Sequence, residues 1–321
     1  MSYSSFDLFD QDIRILVFGK NGQVGRSLQI LLKGFHASVI FLGREDCDLT
    51  NSLALRESFN RYQPQIIINA SAYTAVDQAE SQRDIAYAIN CDAVTLMAQY
   101  VANISKGIFL HFSTDYVYSG HKPDSYIESD ITEPASVYGQ SKLAGELGII
   151  NTFESTKDKR SLARYFILRT SWVYGDGDNF IRTMLRLATE RDHLRVVSDQ
   201  LGVPTSADWL ASLAIQLVGS KVDSGIFHAV PDGFTSWHGL AMYVIELARE
   251  LGEGVEVKSE KIIPIASSEY PLLAPRPKNS RMSNSRLKSI LSDMAFTDQF
   301  PSWQESVDLY VKNYVRDSLK S

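Results

Sequence analysis

Short β-branched and apolar runs punctuate the first half of the chain, each closed by a turn-forming cluster and followed by a stretch of helical character. Ile13-Arg14-Ile15-Leu16-Val17-Phe18, Ser38 to Leu42, Gln65 to Asn69 and Ile108 to Phe112 read as buried strands. Helices are predicted over Arg26 to Lys33, Ser52 to Tyr62 with a stop at Pro64, Asp84 to Asn90 and Ala93 to Lys106. Strand and helix in alternation predict an α/β protein built on a parallel sheet. In the second half, Asn179 to Glu190, Ala207 to Val218 and Trp237 to Leu251 read as helices, Leu194 to Val197 as a strand, and the proline-rich Ala274 to Ser280 as a loop.

The first strand runs directly into Gly19-Lys20-Asn21-Gly22-Gln23-Val24-Gly25, and from there into a helix. Glycines in that context let the backbone turn and approach a pyrophosphate at the positive end of the helix, which makes a dinucleotide the expected ligand. The spacing is Gly-x-x-Gly-x-x-Gly, and a plain glycine-rich turn is the alternative. At the end of the second strand an acidic residue would bind a ribose 2′-hydroxyl; Gly43-Arg44 stands there instead, and an arginine suits a 2′-phosphate, so NADP(H) is favoured with NADH as the second choice. Arg44 read as a solvated residue is the bland alternative. Asp48 and Leu49 are placed to contact the adenine edge. The small residues of Ala70-Ser71-Ala72-Tyr73-Thr74 would let the backbone come close to the diphosphate and ribose. Ser113-Thr114-Asp115 ends the fourth strand, facing the same crevice, where the alternative reading is a turn or helix cap.

Tyr138-Gly139-Gln140-Ser141-Lys142 opens a helix-forming run, which sets Tyr138 and Lys142 one turn apart on one face. An ammonium about 4 Å from a phenol, at an effective dielectric of about 20, favours the phenolate by roughly 4 kcal/mol, or about three pKa units. That pairing makes a proton donor of the tyrosine; an ordinary surface Tyr and Lys is the other reading. A second copy of the spacing, Tyr118 to Lys122, contains Gly120 and precedes Pro123, so it reads as a turn.

With 321 residues, 44% hydrophobic and 22% charged, the chain has room for one large α/β unit with an appended lobe, and no apolar run reaches the roughly 20 residues that span a bilayer. The polar, acidic stretch Met1 to Asp12 lacks the features of a signal peptide, and a cytoplasmic protein is expected. A net charge of −6 without a basic stripe gives nucleic acid no foothold. Cys47 and Cys91 form no metal or redox spacing, and no metal site is expected.

These motifs are joined by Arg169-Thr170-Ser171-Trp172-Val173-Tyr174-Gly175, Asp199-Gln200-x-Gly202-x-Pro204-Thr205, Thr235-Ser236-Trp237 and Arg276-Pro277-x-Asn279-Ser280. In this order, over nearly the whole chain after Asp12, they resemble the extended short-chain dehydrogenase/reductases, and among them the dTDP-4-dehydrorhamnose reductase family. The resemblance implies a Rossmann-type doubly wound parallel sheet with a smaller C-terminal α/β substrate lobe. Residues 1–175 would bind the dinucleotide, with 206–230 returning to that domain, and residues 176–205 and 231–321 would form the nucleotide-sugar side. It implies hydride transfer from NADPH to C4 of a dTDP-4-keto-6-deoxyhexose, a dTDP-sugar substrate, with dTDP-L-rhamnose for polysaccharide synthesis as product. Tyr138 would be the acid, Lys142 its tuner and ribose ligand, and Thr114 the residue orienting the keto oxygen. Asp115, Tyr116, Trp172 and Asn179 would lie on the sugar side, and Arg276 at the diphosphate. Some members carry a glutamate of a metal-linked dimer where this chain has Ser27, so a homodimer is left open. Two alternatives stand: a non-catalytic NADP-binding subunit similar to the methionine adenosyltransferase regulatory subunit, and another nucleotide-sugar ketoreductase or epimerase. A dehydratase would place a glutamate where Tyr116 stands.

Overall fold

The computed structural model describes residues 12–34, 37–156, 162–252, 261–292 and 300–318; the polar stretch ahead of Asp12 lies outside them. The first half alternates as expected: β1 (Arg14–Phe18), α1 (Gln23–Leu32), β2 (Ser38–Leu42), α2 (Ser52–Tyr62), β3 (Ile66–Asn69), the short α3 (Val76–Ala79) and α4 (Arg83–Tyr87), α5 (Ala93–Ala102), β4 (Ile108–Thr114) and α6 (Val137–Ser155). A π-helical turn over Ala88–Asp92 joins α4 to α5, so the two helical stretches expected there run on without a break. Two strands not anticipated from the pattern, β5 (Arg164–Thr170) and β10 (Gly225–His228), complete a six-stranded sheet in the order β10-β5-β4-β3-β1-β2.

Every pairing in this sheet is parallel. The chain steps from β1 outward to β2, then back across β1 to β3. That reversal opens a crevice beyond the carboxyl ends of β1 and β3, the place where open α/β sheets bind ligands.

Strand residues alternate between two buried faces. Ile15, Val17, Ile66, Ile68, Leu110 and Phe166 pack with Leu28 of α1 and Leu213 and Leu217 of α8 (Ala207–Gly219). Leu16, Phe18, Ile67, Phe109 and Ile167 face Leu55 and Phe59 of α2, Met97 and Val101 of α5, and Ile149 and Phe153 of α6. Burial of each such side chain stabilises by about 1.5–3 kcal/mol, which makes this sandwich the stable platform of the molecule.

A second core lies among α7 (Phe180–Glu190), α9 (Trp237–Glu250) and α11 (Trp303–Ser318), with β7 (Leu194–Val197) and β12 (Ile262–Ile265) paired in parallel beside them. Two-residue pairings join β6 (Val173–Tyr174) to β9 (Thr205–Ser206), and β8 (Leu201–Gly202) to β11 (Thr235–Ser236). Helix α10 (Ser285–Ser292) returns to the first core through Leu287 and Leu291. Among the described residues no helix is long and apolar enough to cross a membrane.

Candidate active site

At the carboxyl end of β1 the chain adopts φ +90° at Gly19, and a side chain there would meet the Ala70 carbonyl oxygen at 2.5 Å. A Cβ on Gly25 would lie 2.0 Å from the Gly19 oxygen, so α1 can abut the turn only because both positions are glycine. Gly22 caps α1 without a side-chain acceptor for the first N–H groups. Those donors, with the helix dipole behind them, form an anion site. They open onto a cleft of about 790 Å³ lined also by Arg44, Ser71, Thr114, Tyr138, Lys142 and Trp172. An uncapped helix start, a cradle that any Cβ would fill and an exposed arginine at its rim fit a phosphorylated dinucleotide. Asn21, Gln23, Val24, Ala70, Ala72 and Thr74 also line this cleft. Lys20 is occupied elsewhere, bridging Glu45 at 2.8 Å and Asp46 at 2.6 Å.

Ser136 caps α6, its hydroxyl accepting from the Gly139 N–H at 3.2 Å. The helix then carries Tyr138 and Lys142 into the cleft as the spacing predicts. Their electrostatics differ from the expectation. Lys142 is 1% exposed, and its Nζ donates to the Phe112 carbonyl at 2.7 Å and lies 3.0 Å from His111 Nε2. Burial lowers the Lys142 pKa to about 7, against an upward pull from Glu146. Burial likewise raises the Tyr138 phenol to about 12, opposed by the Thr114 hydroxyl and reinforced by Asp115. In this conformation, therefore, Lys142 does not depress the tyrosine; loss of solvation outweighs the pairing inferred from sequence.

Thr114 serves in two capacities. Its Oγ1 accepts from the Tyr116 N–H at 3.2 Å, capping a 3-10 turn over Asp115–Val117, and it lines the cleft beside Tyr138. Asp115 is 3% exposed, with Oδ1 accepting from Thr114 at 3.2 Å and Oδ2 lacking a protein partner. Burial raises its carboxyl to about 6. Tyr116 meets Tyr138 edge-on at 5.4 Å. Trp172, at φ +45°, stacks on Trp237 with ring centroids 3.5 Å apart, and both line the cleft as an aromatic wall.

Several residues expected at the site are committed to partners within the protein. Asp48 caps Thr50 ahead of α2, and Leu49 packs on the core below it. Tyr73 donates its hydroxyl to Gln82 at 2.8 Å. Asn179 caps α7 through Arg182 N and spends its amide on Gly175, Gly177 and Tyr310, which leaves no group for a sugar. Arg276 bridges Asp77 at 2.7 Å over the ring of Tyr116. The Tyr118–Lys122 pair separates as expected: Tyr118 bonds Arg169 and His228, whereas Lys122 pairs with Asp130.

Sequence reasoning overlooked the buried support of the site. Behind Lys142 lie His111 and Asn69, and Asn90 Nδ2 donates to the Ser141 hydroxyl at 3.0 Å. One turn below Lys142, Glu146 accepts from Ser113 at 2.5 Å and from Arg169 at 2.6 Å. The i, i+4 stripe of Tyr138, Lys142 and Glu146 was the available signal.

A parallel doubly wound sheet, a dinucleotide cradle at its switch point and a Tyr/Lys/Thr cluster in the same cleft define an oxidoreductase of the extended short-chain dehydrogenase/reductase class. The family model for the RmlD substrate binding domain matches residues 13–316. The chain is 38% identical to a dTDP-4-dehydrorhamnose reductase of Burkholderia thailandensis, over 94% of this chain and 99% of that one. It is also 38% identical to that of Escherichia coli, over 92% and 96%. It belongs to the dTDP-4-dehydrorhamnose reductase family. Solved structures agree: a dTDP-4-dehydrorhamnose reductase of Clostridium acetobutylicum gives a TM-score of 0.83 at 35% identity, covering 94% of this chain and 99% of that one. One from Bacillus anthracis, in complex with NADP, gives 0.79 at 32% over the same shares. A UDP-glucose 4-epimerase of Thermotoga maritima, 16% identical with a TM-score of 0.74 over 96% of this chain and 100% of that one, shares the fold alone.

Proposed function

We propose that this protein reduces the C4 keto group of dTDP-4-dehydro-L-rhamnose with NADPH, giving dTDP-L-rhamnose for cell-surface polysaccharide. The observation that carries the reading is the convergence of Tyr138, Lys142 and Thr114 on one cleft with the glycine cradle, in a chain that matches reductases along nearly its whole length. The cradle from Gly19 to Gly25 would hold the diphosphate, and Arg44 a 2′-phosphate. Bound nicotinamide supplies hydride to C4. Tyr138 then donates its phenolic proton to the oxygen that becomes alkoxide, while the Thr114 hydroxyl holds that oxygen in line. Asp115, with Oδ2 unpartnered, accepts a sugar hydroxyl, and Trp172 walls the ring. Arg276, presented over Tyr116, is placed to exchange Asp77 for a substrate phosphate.

The test is NADPH oxidation with freshly generated dTDP-4-keto-L-rhamnose. Tyr138→Phe should lose about 10²–10⁴-fold in kcat while binding NADPH as wild type does. Folded wild type that binds NADPH and never turns over would discard the reductase in favour of the binding-subunit reading.

A further inference from the structure

Asn69, at the end of β3, is fully buried, and its Oδ1 accepts from the Ser71 N–H at 3.1 Å and the Ser71 hydroxyl at 2.5 Å. A backbone N–H can only donate, which assigns the oxygen of this amide. Nδ2 is then the atom that faces His111 Nδ1 at 3.0 Å. An amide nitrogen also only donates, so Nδ1 must be bare, and a neutral imidazole then carries its hydrogen on Nε2. That hydrogen faces Lys142 Nζ, 3.0 Å away.

An ammonium has three hydrogens and no lone pair, and cannot accept. A neutral amine can accept from His111 Nε2–H and still donate to the Phe112 carbonyl, its other partner at 2.7 Å. Turning the Asn69 amide over would let His111 accept from an ammonium, but would set N–H against N–H at Ser71. Charging His111 is opposed by its complete burial, which holds its pKa well below 6.5.

We infer that Asn69 and His111 are positioning residues that park Lys142 as an uncharged amine in the free protein. Lys142 turns toward Tyr138 as an ammonium only after taking a proton from solvent and breaking its bond to His111. The inference borrows from the proposed function only the role of Tyr138 as acid. One proton is gained at Nζ and the hydrogen bond from His111 Nε2–H is lost; no covalent bond other than the new N–H changes. The charged and titratable groups on the elements packed around Nζ are Tyr138 and Glu146 from α6, His111 from β4, Asp115 and Tyr116 from the 3-10 turn that follows it, and Arg169 from β5, whose charge is matched by Glu146 at 2.6 Å. The π-helical turn presents Asn90 to this side through Ser141. Glu146 favours the charged lysine, and burial outweighs it.

The test follows the ligand-free protein by NMR through a pH titration, with lysine labelled with ¹³C at Cε and histidine with ¹⁵N on the ring. Spectra of Lys142→Met and His111→Gln identify the resonances. Wild type should show His111 with hydrogen on Nε2, and Lys142 titrating at least two pH units below the ordinary lysine value of about 10.4. Hydrogen on Nδ1, or a Lys142 ammonium persisting above about pH 9, overturns the inference. Asn69→Asp supplies a second arm, because a carboxylate still accepts from Ser71 but also accepts from Nδ1–H, which frees Nε2 to accept from an ammonium. Lys142 should then bind its proton at least about tenfold more tightly, and the alkaline limb of kcat/KM should move with it. A folded Asn69→Asp protein with unchanged Lys142 titration also overturns it. If that variant does not fold, the wild-type titration decides alone. The NMR readouts need no substrate, so failure of the reductase assay leaves them standing.

Discussion

Asp115 shows what a single buried side chain imposes on this site. Its carboxyl is raised from 3.8 to about 6, mainly by burial. The folded protein therefore binds more protons than the unfolded chain between about pH 4 and pH 6, and native stability from this group falls as pH rises through that window. Above pH 6 the cost of the buried carboxylate is complete. Asp115→Asn should then be more stable than wild type by about 1–3 kcal/mol at pH 7.5, with the gain shrinking toward pH 4, as measured by denaturant unfolding at both pH values. The same variant should turn over more slowly, since it loses the free acceptor Oδ2. Arg44 lends itself to a different measurement. If it holds a 2′-phosphate, Arg44→Ala should raise KM for NADPH about 10–100-fold and leave KM for NADH nearly unchanged, which steady-state kinetics with each cofactor would read. Arg44 and the Tyr138–Lys142 spacing were legible because identity and order carry their chemistry. The electrostatics of Lys142 were not, because its partners His111 and Asn69 come from neighbouring strands and share no local pattern with it.

Helix α6 and strands β4 and β5 together hold the reacting groups. Tyr138, Lys142 and Glu146 recur every four residues along α6, and Glu146 anchors the stripe through Arg169 on β5. Both partners are nearly inaccessible, at 1% and 3% exposed. Breaking such a pair leaves an uncompensated buried charge, so Glu146→Gln should destabilise by about 3–5 kcal/mol in thermal or denaturant unfolding. A surface pair such as Arg186 with Glu190 should contribute under about 1 kcal/mol in the same experiment. This element also explains why β5 escaped the pattern. Arg164 and Arg169 flank an apolar centre and look like exposed ends, yet Arg164 donates to the Ser220 and Val222 carbonyls and Arg169 to Glu146 and Tyr118. Their burial depends on partners far along the chain.

Across the whole molecule, the reversal of strand order at β1 gathers three loops into one cleft: the glycine turn, Ala70 to Thr74, and Ser113 to Asp115. The second core brings Trp237 against Trp172 and completes the wall. Alternation of apolar runs with helices determined the α/β class and most element positions, because burial of both sheet faces demands continuous apolar strands. The glycine spacing determined a cradle, since only glycine adopts that turn and tolerates that contact. The tertiary structure alone decided how the candidates are engaged: Asn179 is drawn off to cap α7, Asp48 is held by Thr50 in the turn before α2, and Arg276 is paired with Asp77. It alone decided the direction in which burial shifts Lys142 and Asp115 as well, because desolvation depends on everything packed around a group and nothing in a group's own sequence neighbourhood records it.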